Sequence, residues 1–200
     1  VTEMAVAKGL SAIWASQPNE RLVGLGYALP WLERFGADAE RVFAFMPATQ
    51  GAVNWPSNGK SATALVFEEE LPLYDCSIDR MLLVHALEHA ENPREMLMEI
   101  WRVLAPGGRL VIVVPNRRGM WARFEHTPFG TGRPFSRTQL SMLLRDTNFT
   151  PMAWSDGLHF PPSQRRWVMR MHGLFERTGR RFWPMFAGVL IVEAQKRVYQ

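Results

Sequence analysis

LPLYDCSIDRMLLVHALEHAENPREMLMEIWRVLAPGGRLVIVVPN, residues 71–116, is the stretch that decides the fold. DRMLLVH at 79–85 carries an unbroken apolar core, the pattern of a strand buried on both faces. Asn92-Pro93 then opens a helix, since Pro suits the first helical turn and Asn the cap before it. Met96, Leu97, Ile100, Val103 and Leu104 follow at 3.6-residue spacing, which predicts a helix over 93–104. Pro106-Gly107-Gly108 is the expected stop, with positive φ at both glycines, and RLVIVVP at 109–115 is the next buried strand.

The same alternation extends in both directions. RLVGLG at 21–26 reads as a strand, LPWLERFGADAE as a helix with Leu29, Leu32 and Phe35 on one face, and RVFAFM at 41–46 as a second strand. Residues 47–61 are rich in Pro, Gly, Asn and Ser and are expected to form a loop before the strand TALVF at 63–67. Ser136 caps a helix, SRTQLSMLLRDT, while FTPMAW from 149 and GVLIVEAQKRV at 188–198 read as a strand pair at the sheet edge. An amphipathic helix is expected over 163–178, with Trp167, Met171, Leu174 and Phe175 on one stripe and Arg166, Arg170 and Arg177 opposite. The expected fold is α/β: a Rossmann-like, doubly wound, mainly parallel sheet of about seven strands with helices on both faces. Residues 1–200 read as one domain, with an N-terminal helix at about 3–15 and an inserted loop at 116–136.

Composition narrows the function classes. At 200 residues and 47% hydrophobic the chain buries a real core. Its single cysteine, Cys76, makes neither an internal disulfide nor a cysteine-built zinc site, so the expected compartment is the cytoplasm. The longest apolar runs, at 110–115 and 184–192, fall short of the roughly 20 residues of a membrane span. Residues 161–200 hold eight of the 23 Lys and Arg but only Glu176 and Glu193 of the 19 acids, so the net charge of +4 resides in the tail. A solvated basic helix face is the simplest reading of that asymmetry, and no nucleic-acid motif accompanies it.

Residues 71–116 resemble the class I S-adenosylmethionine-dependent methyltransferases, of the type 11-like group. There an LPF-x-D-x-S-F-D turn precedes a strand, an LEH-like turn, a helix, an LKPGG-like turn and another strand. The resemblance implies methyl transfer from S-adenosylmethionine to a small-molecule or protein acceptor. It also implies a cofactor site, which here departs from the family pattern. An acid followed by G-x-G-x-G is expected after the first strand, and LVGLGYALP instead places Gly24, Gly26, Ala28 and Pro30 there. The acid that would grip the ribose falls on Met46. The acid expected at the adenine falls on Phe67 by strict alignment, with Glu68 one residue on. His85 closes the fourth strand, so the implied cofactor contacts are Gly24, Gly26, Ala28, Met46, Glu68 and His85. These losses leave an alternative: a non-catalytic subunit or regulator that keeps the fold and binds a partner protein.

Two further signals accompany the resemblance. Residues 116–136 mix Arg117, Arg118, Arg123 and Arg133 with aromatics, a composition suited to reading an acidic substrate, and Arg117 and Arg133 are the substrate candidates. His85 and His126 are the candidate bases, because imidazole titrates near neutral pH. His85-Ala86-Leu87-Glu88-His89 also matches the H-x-x-E-H pattern of inverted zinc proteases, which requires a helix. A strand running into His85 opposes that reading, so no metal is expected.

Overall fold

The computed structural model describes residues 2–14, 18–48, 51, 53–57, 60–119, 132–158 and 187–198. The elements run α1 (Thr2–Ser11), β1 (Arg21–Gly26), α2 (Leu29–Phe35), β2 (Arg41–Pro47), β3 (Thr63–Val66) and β4 (Ile78–Val84). They continue α3 (Pro93–Val103), β5 (Leu104–Pro115), α4 (Arg137–Asp146), β6 (Phe149–Gly157) and β7 (Val189–Lys196). One seven-stranded sheet has the order β3-β2-β1-β4-β5-β7-β6. Pairings from β3 through to β5 are parallel, and β7 lies antiparallel between β5 and β6. This is the doubly wound sheet that the alternation predicts.

Strand alternation sorts the core into two layers. Val23, Leu25, Met81, Leu83, Leu110 and Ile112 meet Met96, Leu97 and Ile100 of α3 and Leu140 and Leu144 of α4. On the other face Leu22, Leu82, Val84, Val111 and Val113 meet Val6 and Leu10 of α1 and Trp31 and Leu32 of α2. Met81, Leu82, Leu83 and Val84 are all fully buried, which is why β4 carries no polar alternation. Burial of each such side chain stabilises the fold by about 1.5–3 kcal/mol.

Several boundaries differ from the sequence reading. α1 ends at Ser11, short of residue 15, and Trp14 packs beyond it in the core. α3 ends at Val103 because Leu104 adopts an extended backbone (φ −69°, ψ 137°) and starts β5. The Pro106-Gly107-Gly108 segment therefore lies inside β5, where the register to β4 shifts between Ile78 and Arg80. Gly107 has φ +74°, but Gly108 does not adopt positive φ. A Cβ at Gly108 would lie 2.8 Å from Ala105 O and 3.1 Å from Asp79 O, so close approach dictates that glycine. The third strand ends at Val66, and Phe67 bridges back to Glu70. β6 extends beyond FTPMAW to Gly157. The expected helix at 163–178, with its basic face, lies outside the described residues.

Charged groups gather at the amino ends of β1 and β4, away from the crevice where ligands of such sheets bind. Arg21 makes a two-pronged pair with Asp79, donating from Nε at 2.8 Å and Nη2 at 2.9 Å. Arg80, 1% exposed, sits 3.0 Å from Glu20 and 3.6 Å from Glu193, with its guanidinium 4.8 Å from the Trp14 ring centroid. These pairs secure the end of the sheet opposite the candidate site.

Candidate functional site

In open α/β sheets, ligands bind beyond the carboxyl ends of the strands where the strand order reverses. Here the chain leaves β1 toward β2 and β3 and returns to β4 on the other side of β1. Gly26 pairs with Val84 across that point, and Tyr27 N–H donates to Val84 O at 2.8 Å. Gly26 is at φ +82°, and a Cβ on it would lie 2.3 Å from Val84 O and 2.9 Å from Ala86 Cβ. No other residue type fits the floor of this crevice without displacing backbone.

Gly24 has a different environment. A Cβ there would lie 2.6 Å from Leu32 Cδ1 and 2.7 Å from Ala28 Cβ, so its missing side chain lets α2 pack on β1. Ala28, the residue before α2, is 1% exposed. Met46, near the end of β2, is 8% exposed, and its Sδ accepts the Val53 N–H at 3.2 Å. Glu68 lies in the turn after β3, half-buried, while Phe67 beside it is 70% exposed. Burial pushes the Glu68 carboxyl above the usual carboxylate range, with Glu69 and Glu91 adding repulsion.

His85 follows β4 directly and adopts φ +50°, uncommon for a residue with a side chain. Its N–H donates to Val113 O at 3.1 Å, and its Nδ1 lies 2.7 Å from Glu88 Oε1. The imidazole is 16% exposed and the Glu88 side chain 1%. Residues 85–89 form a turn, so the two histidines do not share the helical face that the zinc-protease pattern needs. Glu88 is absent from the candidate site residues, although both the LEH turn and the H-x-x-E-H match contain it.

The two ends of the inserted segment lie together beside this turn. Asn116 bridges Phe135, Arg117 N–H donates to Phe135 O at 2.9 Å, and Arg133 N–H donates to Glu88 O at 2.8 Å. Arg117 and Arg133 are thus brought close along the chain, both exposed, next to the end of β4. A cavity of about 380 Å³ opens alongside, lined by Asn116, Arg118, Ser136, Arg137, Asp156 and Leu190. His126 and Arg123 lie outside the described residues.

Residues 22–112 match the family model of the methyltransferase domain. The match takes in somewhat less than half of the chain, from β1 into β5, and the chain is similar there to class I S-adenosylmethionine-dependent methyltransferases. An O-methyltransferase of Aspergillus sclerotiorum is 35% identical over 94 residues, 44% of this chain and 35% of that protein. The chain spans about half, or less, of the length of the curated relatives it matches. Among solved structures, a methyltransferase complexed with the Haloferax volcanii Trm112 methyltransferase activator superposes with TM-score 0.68. It is 20% identical, over 98% of this chain and 91% of that one. A SAM-dependent methyltransferase from Thermotoga maritima superposes at 0.69 with 19% identity, over 98% and 90%.

The crevice suits S-adenosylmethionine, the cofactor that the resemblance implies, at two of the three expected points. Gly26 supplies the tight turn at the strand end, and Glu68 supplies a half-buried carboxyl after β3. At the ribose point Met46 offers an apolar side chain whose sulfur already accepts a backbone N–H. Among the described residues, no group of His, Cys, Asp and Glu is arranged to hold a metal ion.

Proposed function

We propose that this chain transfers a methyl group from S-adenosylmethionine to a nucleophilic atom of a small-molecule or protein acceptor. The observation that carries the reading is the crevice between β1 and β4, where a glycine that tolerates no side chain lies against the turn that carries a histidine paired with a buried glutamate. Bound S-adenosylmethionine supplies a methyl group already activated by its sulfonium charge. The chain's own part is to position, exclude water and accept a proton where the acceptor brings one.

In this reading Gly24, Gly26 and Ala28 shape the turn that the cofactor approaches, Met46 packs against its ribose and Glu68 accepts from its adenine. His85 sits between cofactor and acceptor, as base or as contact, with His126 the second candidate base. Arg117 and Arg133 attract an acidic acceptor to the cavity beside them. Without a ribose carboxylate, binding is weak or assisted by a partner. No helix among the described residues is long and apolar enough to cross a membrane. We place the activity in the cytoplasm.

A second reading, a methyltransferase-like subunit that binds a partner protein, is favoured by Met46 at the ribose point. A structural neighbour that is itself complexed with the Trm112 activator is consistent with it. Titration calorimetry separates the two. Saturable binding of S-adenosylmethionine in the micromolar range is expected, and no heat up to about 1 mM would leave only the second reading.

A further inference from the structure

Arg137, the first residue of α4, is exposed, and its charge does not serve the helix. The dipole at a helix start favours anions, and the first turn of α4 contains no acid to offset the cation. The guanidinium lies instead over the Trp154 ring, 4.6 Å from its centroid. Trp154 pairs with Val192 on the sheet face that Leu140 and Leu144 of α4 cover, so the ring is held from beneath by the core. Stacking engages the flat face of a guanidinium and leaves its N–H donors, which lie in the plane, directed outward at its edge. Among the described residues, no carboxylate forms an ion pair with Arg137.

Arg137 and Thr138 belong to the wall of the cavity of about 380 Å³ beside the end of β5, with Asp156 and Leu190 across β6 and β7. Two polar side chains of that wall are engaged within the fold: Ser136 Oγ accepts the Gln139 N–H, and Asn116 Nδ2 donates to Ala187 O. Asn116 follows β5 and bridges Phe135, two residues before Arg137, while Arg133 N–H donates to Glu88 O just past β4. The cavity therefore opens on the carboxyl side of the sheet, as the crevice does. Its volume is at the lower end of the roughly 300–1,000 Å³ typical of small-molecule sites. We propose that Arg137 determines acceptor specificity by gripping a carboxylate of a small-molecule acceptor in this cavity, with two parallel N–H donors meeting two oxygens. This rests on the methyltransferase reading and narrows its acceptor to a small carboxylic acid in its ionised form. Stacking on Trp154 has already restricted the long side chain, so less freedom is lost when the ligand arrives. Asp156 in the same wall selects for a single charge, because a doubly charged phosphate monoester meets more repulsion there than a carboxylate does. Arg117 and Arg133 act earlier, attracting the anion toward the opening.

The test is NMR titration of the full chain with nitrogen-labelled tryptophan, Trp154→Phe assigning the Trp154 indole signal. The probes are benzoate, its neutral isostere benzamide, and phenyl phosphate. Benzoate is expected to shift the Trp154 signal saturably, with Kd below about 1 mM, and benzamide and phenyl phosphate to bind at least about tenfold more weakly. Arg137→Gln should weaken benzoate about tenfold, and Arg137→Lys, which keeps the charge and loses the fork, at least about threefold. No saturable shift by about 10 mM benzoate overturns the proposal, as does equal binding of benzamide or tighter binding of phenyl phosphate. So does unchanged benzoate binding in a folded Arg137→Gln protein. If that variant does not fold, the three probes on the wild-type chain decide. None of these measurements needs S-adenosylmethionine. Failed cofactor binding would remove methyl transfer while leaving the carboxylate site, and failed benzoate binding would remove the carboxylate acceptor while leaving methyl transfer.

Discussion

Two residues at the strand ends carry opposite lessons. Gly26→Ala forces a side chain into φ +82° and against Val84 O, so about 2 kcal/mol or more of stability should be lost along with any cofactor affinity. Urea unfolding of the variant checks this, and a loss below about 0.5 kcal/mol would contradict the geometry. Met46→Asp should act in the other direction. In the proposed cofactor pose, a carboxylate at the end of β2 would face the ribose diol with two acceptors, and one added charged hydrogen bond would tighten binding about tenfold. Calorimetry on the variant should show that gain, and equal or weaker binding would mean the ribose lies elsewhere. Gly24 and Gly26 look alike in the sequence, yet one serves helix packing and the other the crevice floor. That difference depends on what Leu32 and Val84 bring near them, which spacing does not reveal. The Val53 contact to Met46 was equally hidden, because it depends on the path of an irregular loop.

At the scale of elements, α3 does more than fill the core. Glu99 accepts from Leu71 N–H at 2.7 Å, and Arg102 donates to Leu71 O, Leu73 O, Asp75 and Glu99. The helix thereby fixes the irregular 71–76 segment that leads into β4. Arg102→Ala should cost about 2 kcal/mol, since it leaves Glu99 without its cation and two carbonyls without a donor. Faster proteolysis around residues 71–76 should accompany that loss, and unchanged cleavage would show that the segment is held by other contacts. The start of α3 was legible because Asn92 and Pro93 have local roles, with Asn92 Oδ1 accepting the Glu95 N–H at 3.4 Å. Its end was not. Leu104 continues the apolar helix face and equally suits a buried strand, and the choice is made by pairing with Ile78, a contact distant in sequence.

For the whole molecule, the ionised groups predict how stability follows pH. Arg21 holds the Asp79 carboxyl below its ordinary 3.8, and Arg102 holds Glu99 below its ordinary 4.5, in each case chiefly through side-chain hydrogen bonds. Their folded forms lose protons more readily than the unfolded chain does. The stability they contribute is therefore complete above about pH 4.5 and is lost as pH falls through the folded values. Glu68 has the opposite sign. Burial raises its folded pKa, so its contribution is fullest at acid pH and declines as pH rises through that folded value. The Asp79 and Glu99 contributions should therefore fall away below about pH 4.5, while that of Glu68 is retained there. Asp79→Asn isolates one component. The Arg21–Asp79 pair is partly exposed, at 39% and 31%, so solvent screening limits its worth to about 1 kcal/mol near neutrality. That deficit of the variant against wild type should shrink toward zero as the wild-type carboxyl takes up its proton at acid pH. Urea unfolding of both proteins between about pH 7 and pH 3 measures the difference directly. A deficit that stays constant across this range would mean that Asp79 supports the sheet through shape and neutral hydrogen bonding rather than through its charge.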